Sequence, residues 1–474
     1  MTTEGCFTEA SSSIRVAGQR RTPAEPLQGL GELAERLRQR GEQAGLAAIG
    51  IALATPMEAT RRILEERKDA GLSADMQFTY RNPTRSTDPR RALPEAAALV
   101  VGAWPYGEAS REDWDNEHIS VPGIDRGRSP VGPDRPQGRV ARYARRDHYL
   151  DLRKALGQVA TELTGAGWRA RVVADDNALV DRAAAERAGL GWFGKNSNIL
   201  LAGRGSWFLL GSVITDAPLP ASAPVEDGCG SCRRCLTSCP TGALVAPGVL
   251  DARKCLAWLL QATGVFPVEY RAALEGRIYG CDDCQEVCPV NRLAARMADD
   301  SHGERTNQAN GRIKVAAAAA DVAVAQAEPA EPAQPAKVQQ APEGGPAGQE
   351  AEVDLLDLLS NDDESLLARY GRWYIPQRDP RYLRRNALIA LGNVADGHQP
   401  EVEETLGRYL DDPDELLRAH AVWASFRAGR HDLVAARPSL LGDQSPIVRQ
   451  ELARQADVAA HLTARPALPT QRPV

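Results

Sequence analysis

Apolar residues recur along this chain at two alternating periods. L-G-E-L-A-E-R-L-R-Q-R-G-E-Q-A-G at 30–45 carries them at helical spacing, and the short apolar run A-A-I-G-I-A-L-A at 47–54 predicts a strand. A charged helix is expected at 57–69, a strand over A-A-L-V-V-G-A-W at 97–104 and an amphipathic helix near 149–166. A-R-V-V-A-D at 170–175 and S-W-F-L-L-G-S-V-I-T at 206–215 predict further strands. This alternation predicts an α/β domain over 27–225, preceded by a polar, disordered tail at 1–26.

The pattern then changes twice. A linker is expected over 296–350, because residues 315–349 are built almost wholly from Ala, Pro, Gln and Gly and cannot bury a core. Beyond it Asp379, Asp412 and Asp443 each precede an arginine (Arg385, Arg418, Arg449) by six residues, and the units recur after 33 and 31 residues. Helical-hairpin repeats of the HEAT type have such periods, so 351–460 is read as an all-α repeat domain that leans on its neighbour, with a disordered tail at 461–474. Its first unit packs six arginines into 17 residues (Arg369, Arg372, Arg378, Arg381, Arg384, Arg385) and interleaves Tyr370, Trp373, Tyr374 and Tyr382. Guanidinium groups pair with phosphates and aromatic faces stack on unpaired bases, while some of these rings are expected in the core.

Eight of the nine cysteines fall within residues 229–288. C-G-S-C-R-R-C-L-T-S-C-P at 229–240 has the C-x₂-C-x₂-C-x₃-C-P spacing of bacterial ferredoxins, in which the last cysteine of each run serves the other cluster. On that rule one 4Fe–4S cluster takes Cys229, Cys232, Cys235 and Cys288. The second takes Cys239, Cys281, Cys284 and Cys255, which lies between the runs. A ferredoxin-like double-cluster domain is therefore expected over 226–295. Zinc ribbons rarely add a third cysteine at this spacing, and reducing surroundings argue against disulfides.

With 474 residues, a net charge of −6 and 43% hydrophobic residues, the chain reads as a soluble, cytoplasmic protein of several domains. No apolar run approaches the roughly 18 residues of a membrane helix. An acidic chain has no global attraction for nucleic acid, so any such partner needs a local basic patch.

At this point the chain resembles a known family, the epoxyqueuosine reductases, which are corrinoid-dependent iron–sulfur enzymes that finish the queuosine modification of tRNA. The resemblance covers about 28–295 and 351–455. It rests on A-D-D-N-A-L-V-D-R-A-A-A-E-R-A-G-L-G-W-F-G-K-N-S at 174–197, G-S-W-F-L-L-G at 205–211, both cysteine runs, D-A-R-K-C at 251–255, G-R-I-Y-G-C-D-D-C at 276–284 and L-R-R-N-A-L-I-A-L-G-N at 383–393. It implies that the α/β domain binds cobalamin, with cob(II)alamin as the resting form, beside one cluster. Asp396-Gly-His398 approaches the D-x-H-x-x-G loop that supplies histidine to cobalt but ends in Glu401, so no histidine ligand is expected.

The resemblance also implies site residues. The proton donor is Asp175, seven residues before Arg182, with its neighbour Asp176 expected to face away along a strand and Asp181 on a helix surface. The corrin pocket takes Arg85, Asp175, Asn198, Ile199, Leu210, Ala257, Cys281 and Asp282, and Lys195 and Asn196 lie at an edge suited to cofactor amides or a surface turn. Arg381, Arg384 and Arg385 are expected to hold tRNA. The segment R-Y-A-R-R-D-H-Y-L at 142–150 departs from the family pattern, which leaves Asp147 and His148 without an assigned role.

The activity so implied is two-electron reduction of epoxyqueuosine to queuosine at the wobble position of tRNAs with G-U-N anticodons (Asp, Asn, His, Tyr). A flavodoxin or ferredoxin would be the electron donor, and the chain would act as a monomer. Another corrinoid reductase, dehalogenase-like, is the first alternative. A bare electron carrier with a scaffold is the second, although an α/β domain of this size exceeds what a carrier needs.

Overall fold

The computed structural model describes residues 29–107, 135–294 and 350–463, with the backbone alone at 15–16 and 457–463. The low-complexity segment up to 349, the tail beyond 463 and most of 1–26 lie outside the described residues. Eight of the twelve strands among the described residues build the two larger sheets: β1 (Arg15–Val16), β2 (Ala48–Leu53), β3 (Ala98–Pro105), β4 (Gln137–Val140), β5 (Ala170–Val173), β6 (Phe208–Thr215), β7 (Arg277–Tyr279) and β8 (Glu352–Asp354). The first sheet has the order β1-β5-β6-β3-β2, and each of its ladders is antiparallel. Helices and strands do alternate, but they build an antiparallel sheet with helices packed on it. β1 corrects the expectation of a tail disordered throughout 1–26: Arg15 pairs with Arg171, and edge pairing needs backbone groups only.

Helices α1 (Leu30–Gln43), α2 (Glu58–Asp69), α3 (His148–Gly165) and α4 (Asp181–Arg187) follow the apolar periodicity. Leu33 and Leu37 of α1 and Leu152, Leu156, Val159 and Leu163 of α3 bury their side chains on one face of the sheet, against Val100, Val172 and Val213. Ala183, Ala184 and Ala185 of α4 meet the other face beside Leu99, Val101 and Ile214. Small side chains let α4 approach closely, and a Cβ on Gly50 of β2 would stand 2.2 Å from the Ala188 carbonyl oxygen.

The C-terminal region is helical: α5 (Arg381–Val394), α6 (Pro400–Leu410), α7 (Glu415–Arg427) and α8 (Pro446–Thr463). It shares one continuous core with the cysteine-rich region, in which Leu256, Leu260, Phe266, Leu274 and Ile278 pack with Leu355, Leu359, Leu388, Leu391 and Val422. A second sheet ties the regions together. β4 lies at its centre, parallel to β7 and antiparallel to β8.

Two of the periodic Asp–Arg pairs close within their own unit, Arg418 on the Asp412 carbonyl (2.8 Å) and Arg449 on that of Asp443 (3.0 Å), and further contacts run between units. Arg418 holds Asp443 of the following unit through two contacts (2.9 and 3.2 Å), and Arg381 reaches Asp414 at 3.2 Å. Arg385 does something else. It is 1% exposed, and its guanidinium donates to the carbonyls of Leu259 (3.1 Å), Ala262 (2.8 Å) and Gly264 (2.8 Å) and to Asn386 Oδ1. Burial pulls its pKa down to about 9, which still leaves a cation at neutral pH. Asn386 adds a bond to the Leu260 carbonyl at 2.8 Å. The first helical unit is thereby fastened to the segment that follows Cys255.

Removing this cation leaves its carbonyl partners buried and without donors. Arg385→Ala should therefore destabilise the protein by about 3–5 kcal/mol, against at most about 1 kcal/mol for the exposed Arg381→Ala, as read by urea unfolding.

Candidate active site and cysteine clusters

The eight cysteines gather into two sets. Cys229, Cys232, Cys235 and Cys288 line one pocket together with Lys195, Asn196, Leu200 and Pro289. Burial and then the thiols of Cys288, Cys229 and Cys232 push Cys235 up to about 11. Cys239, Cys255, Cys281 and Cys284 form the other set: burial raises Cys284 most, and Cys255 and Cys239 are near enough to add to it. The first loop is near the surface, with Gly230, Ser231, Arg233 and Arg234 exposed, whereas burial raises Cys281 and Cys284 well above the ordinary thiol range.

Local geometry explains both loops. Lys195 donates to the carbonyls of Gly230 (2.6 Å) and Cys232 (2.9 Å), and Asn196 donates to that of Cys284 (3.2 Å). These side chains brace the cysteine loops instead of offering themselves to cofactor amides. Gly280, at φ +73°, turns the chain into Cys281, where a Cβ would stand 2.5 Å from that of Ala141. Arg277 clamps Asp283 through two bonds of 2.7 and 2.9 Å. Asp282, expected at the cofactor, accepts the Arg142 backbone N–H at 2.7 Å and so joins the second loop to the 142–150 segment.

That segment resolves two open positions. Asp147 caps α3 by accepting from the Leu150 N–H (2.9 Å). His148 is buried, accepts from Arg146 at 3.1 Å and is lowered to about 4, chiefly by burial and then by Arg146.

Asp175 follows β5 by two residues and adopts φ +53°, a left-handed conformation. This corrects the expectation that 175 and 176 alternate along a strand: the strand ends at Val173, and Asp176 folds back to accept the Ala178 N–H at 2.8 Å. The Asp175 side chain is solvent-accessible yet surrounded by enough protein for desolvation to raise its pKa, a rise that Arg153 opposes and Asp176 reinforces. Asp181 is also corrected. Instead of lying on a helix surface it accepts the Asp175 backbone N–H, and burial followed by the Asp175 charge holds its carboxyl well above the usual range.

Sequence reasoning missed the residues that connect this acid to the cysteines. Tyr149 is raised by burial and then by Asp175 and Asp181. Arg182 acts on Asp181, on Tyr106 and on Cys255. Tyr279, two residues before Cys281, lies within electrostatic range of Asp175. Of the other residues expected at a corrin, Arg85 and Asn198 are accessible, Ile199 is buried, and Leu210 and Ala257 are half-buried. Arg182 thus faces both Asp181, the carboxyl neighbour of Asp175, and Cys255 of the second cysteine set.

The residues 228–291 match the family model of a 4Fe-4S double cluster binding domain. The epoxyqueuosine reductase of Vibrio cholerae is 32% identical over 399 residues, 83% of this chain and 91% of that protein. The chain belongs to the epoxyqueuosine reductase family. The Bacillus cereus epoxyqueuosine reductase is 30% identical over 390 residues, covering 81% of this chain and 86% of its own. Among solved structures, epoxyqueuosine reductase from Bacillus subtilis superposes with a TM-score of 0.68 at 25% identity, over 90% of this chain and 99% of that one. An epoxyqueuosine reductase crystallised with an epoxyqueuosine-modified tRNA-Tyr stem loop has the same fold, with a TM-score of 0.69 at 24% identity.

The donor chemistry fits what this family requires. Two sets of four thiols suit two 4Fe–4S clusters, and the apolar side chains of Ile199, Leu210 and Ala257 suit the face of a flat corrin. Cys255→Ser should accordingly remove one cluster, leaving about four of eight irons and sulfides in anaerobically purified protein. Lys195→Met should instead loosen the exposed set, read as faster bleaching of its visible absorption in air.

Proposed function

We propose that the protein reduces epoxyqueuosine to queuosine in tRNA. The observation that carries this reading is the family relationship, which spans most of both chains and includes the 174–197 segment that holds Asp175. The dehalogenase-like alternative finds no comparable support. Cysteines 229, 232, 235 and 288 would hold one cluster, and 239, 255, 281 and 284 the other. Cobalamin would sit against Arg85, Asn198, Ile199, Leu210, Ala257 and Cys281. When bound, it supplies the reducing centre that the clusters keep charged one electron at a time.

The net change is epoxide plus two electrons and two protons to alkene plus water. The oxygen that leaves carbon must be protonated, because a bare oxyanion is a poor leaving group. Asp175 is the proton donor. Desolvation favours its neutral form, and the left-handed backbone turns it off the strand line, with its side chain open to solvent. Asp181 accepts the Asp175 backbone N–H and so restrains this turn, and Tyr149 lies within electrostatic range of both carboxyls. Asp282 holds the 142–150 segment and serves the site by position.

The tRNA expectations need revision residue by residue. Arg385 is buried and structural. Arg384 is largely enclosed, pairing with Asp363 and donating to the Asn361 carbonyl at 2.8 Å, which draws it away from a phosphate partner. Arg381 remains the accessible member, 45% exposed. It is the residue of the three proposed to meet phosphate, joined by exposed Arg378. The substrates are taken to be tRNAs with G-U-N anticodons, the donor a flavodoxin or ferredoxin and the active form a cytoplasmic monomer. Among the described residues no helix is long and apolar enough to cross a membrane.

Asp175→Asn should lower turnover about 10²–10⁴-fold with cluster content unchanged, measured by nucleoside mass spectrometry. The pH profile tests the same point. A raised carboxyl pKa means that the competent, protonated form is lost as pH rises through it, so wild-type turnover should fall on the alkaline side of that pKa and the residual rate of the variant should lack that limb. Arg381→Ala should weaken stem-loop binding and reduce its salt slope by about one.

A further inference from the structure

Of the four aromatic residues interleaved with arginines in the first helical unit, three are enclosed: Tyr370 (1% exposed), Trp373 (4%) and Tyr382 (8%). Tyr374 is 47% exposed. Its ring meets that of Phe78 at a centroid distance of 5.5 Å and an interplanar angle of 55°. Phe78 opens the short helix Phe78–Arg81, in the same segment as Arg85, so the two rings come from opposite ends of the chain.

The pair is mounted rigidly. The Tyr374 backbone N–H donates to Tyr279 Oη at 2.7 Å, and the Tyr279 ring stacks on Trp373 (4.6 Å, 14°), which stacks on Tyr370 (4.7 Å, 26°). The Trp373 indole donates to the Ala144 carbonyl at 2.8 Å. Three residues beyond Tyr374 the backbone is strained: Gln377 (φ +54°) and Arg378 (φ +53°) are consecutive left-handed residues that are not glycine. Such strain persists only where the surroundings impose it, and it concentrates at binding sites. This turn presents Arg378 to solvent four residues beyond the exposed ring. Tyr279, to which Tyr374 is anchored, lies within electrostatic range of Asp175. The ring pair is therefore tied, through Tyr279, to a residue that senses the proton donor.

A half-exposed ring on a rigid, aromatic-backed mount, with an accessible arginine four residues on, has the makings of a stacking platform for an unpaired base. We propose that Tyr374 and Phe78 form a clamp that stacks a nucleobase flanking the reacting nucleotide of the RNA and so orients the modified base towards Asp175. This rests on the tRNA-reductase reading and adds to it a base-contacting subsite shared by two distant segments.

The test uses cluster- and cobalamin-loaded protein and fluorescent anticodon stem-loops, one intact and a series each lacking a single loop base. Tyr374→Ala and Phe78→Ala should each weaken binding of the intact stem-loop roughly 5- to 150-fold, the range of one lost base stack. Tyr374→Phe, which keeps the ring, should bind as wild type. The salt slope should be unchanged in all three, because no phosphate contact is removed. At one abasic position wild-type affinity should fall by a similar factor, and Tyr374→Ala should lose nothing more there. Normal binding by both alanine variants, or losses that add fully at every abasic position, would overturn the clamp. Unchanged visible cluster absorption in each variant identifies folded, loaded protein. Wild-type protein that binds no stem-loop overturns the tRNA reading and the clamp with it.

Discussion

A guanidinium sealed from water must find its partners within the protein, and Arg385 finds them in the carbonyls of Leu259, Ala262 and Gly264. Those carbonyls belong to the segment that begins at Cys255, the cysteine that lies between the two runs. The first helical unit and the second cysteine set are therefore positioned by the same cation. Asn386, the next residue, bonds the carbonyls of Leu260 and Ile278 and extends the fastening to β7, the strand that leads into Cys281. Displacing this unit would disturb both sides of the second set at once.

Buried ion pairs extend this fastening through the shared core. Arg271 and Glu451, both buried, pair at 3.0 Å and pin α8 to the cysteine-rich region. Arg277 and Asp283 do the same for the second loop. A buried pair of this kind adds little net stability, but it strongly penalises arrangements in which either partner is left alone. The rigidity a proton donor needs thus comes from polar groups with few permitted geometries, laid over an apolar core that supplies the bulk of the burial.

Much of this was legible in the sequence, and the reasons for the rest are physical. Strands and helices of the α/β region announce themselves by apolar period, and the C-x₂-C-x₂-C-x₃-C-P run constrains ligand spacing so tightly that the two sets of four could be written down from it. Asp175 was legible only through family resemblance, because one carboxylate after a strand has no period to mark it. The direction of Arg385 was hidden because a six-residue Asp–Arg spacing is the same whether the arginine pairs with an aspartate or turns inward. Likewise Asp181 opens a helix that reads as amphipathic, and only the left-handed turn at Asp175 brings the two carboxyls together. Antiparallel pairing in the first sheet was equally invisible, since alternating elements fix neither strand order nor direction.

The central position of β4 bears on how this protein can change over time. Repeat arrays are ordinarily the most modular part of a protein, gained, lost or exchanged at linkers with little damage elsewhere. Here β8, which opens the C-terminal helical region, completes a sheet whose other two strands come from the regions before it. Its deletion would bare a strand edge and the apolar face formed by Ile278 and Leu274, an invitation to aggregate. The helical region is no interchangeable attachment, and selection must act on it and on the redox core as a single inherited unit.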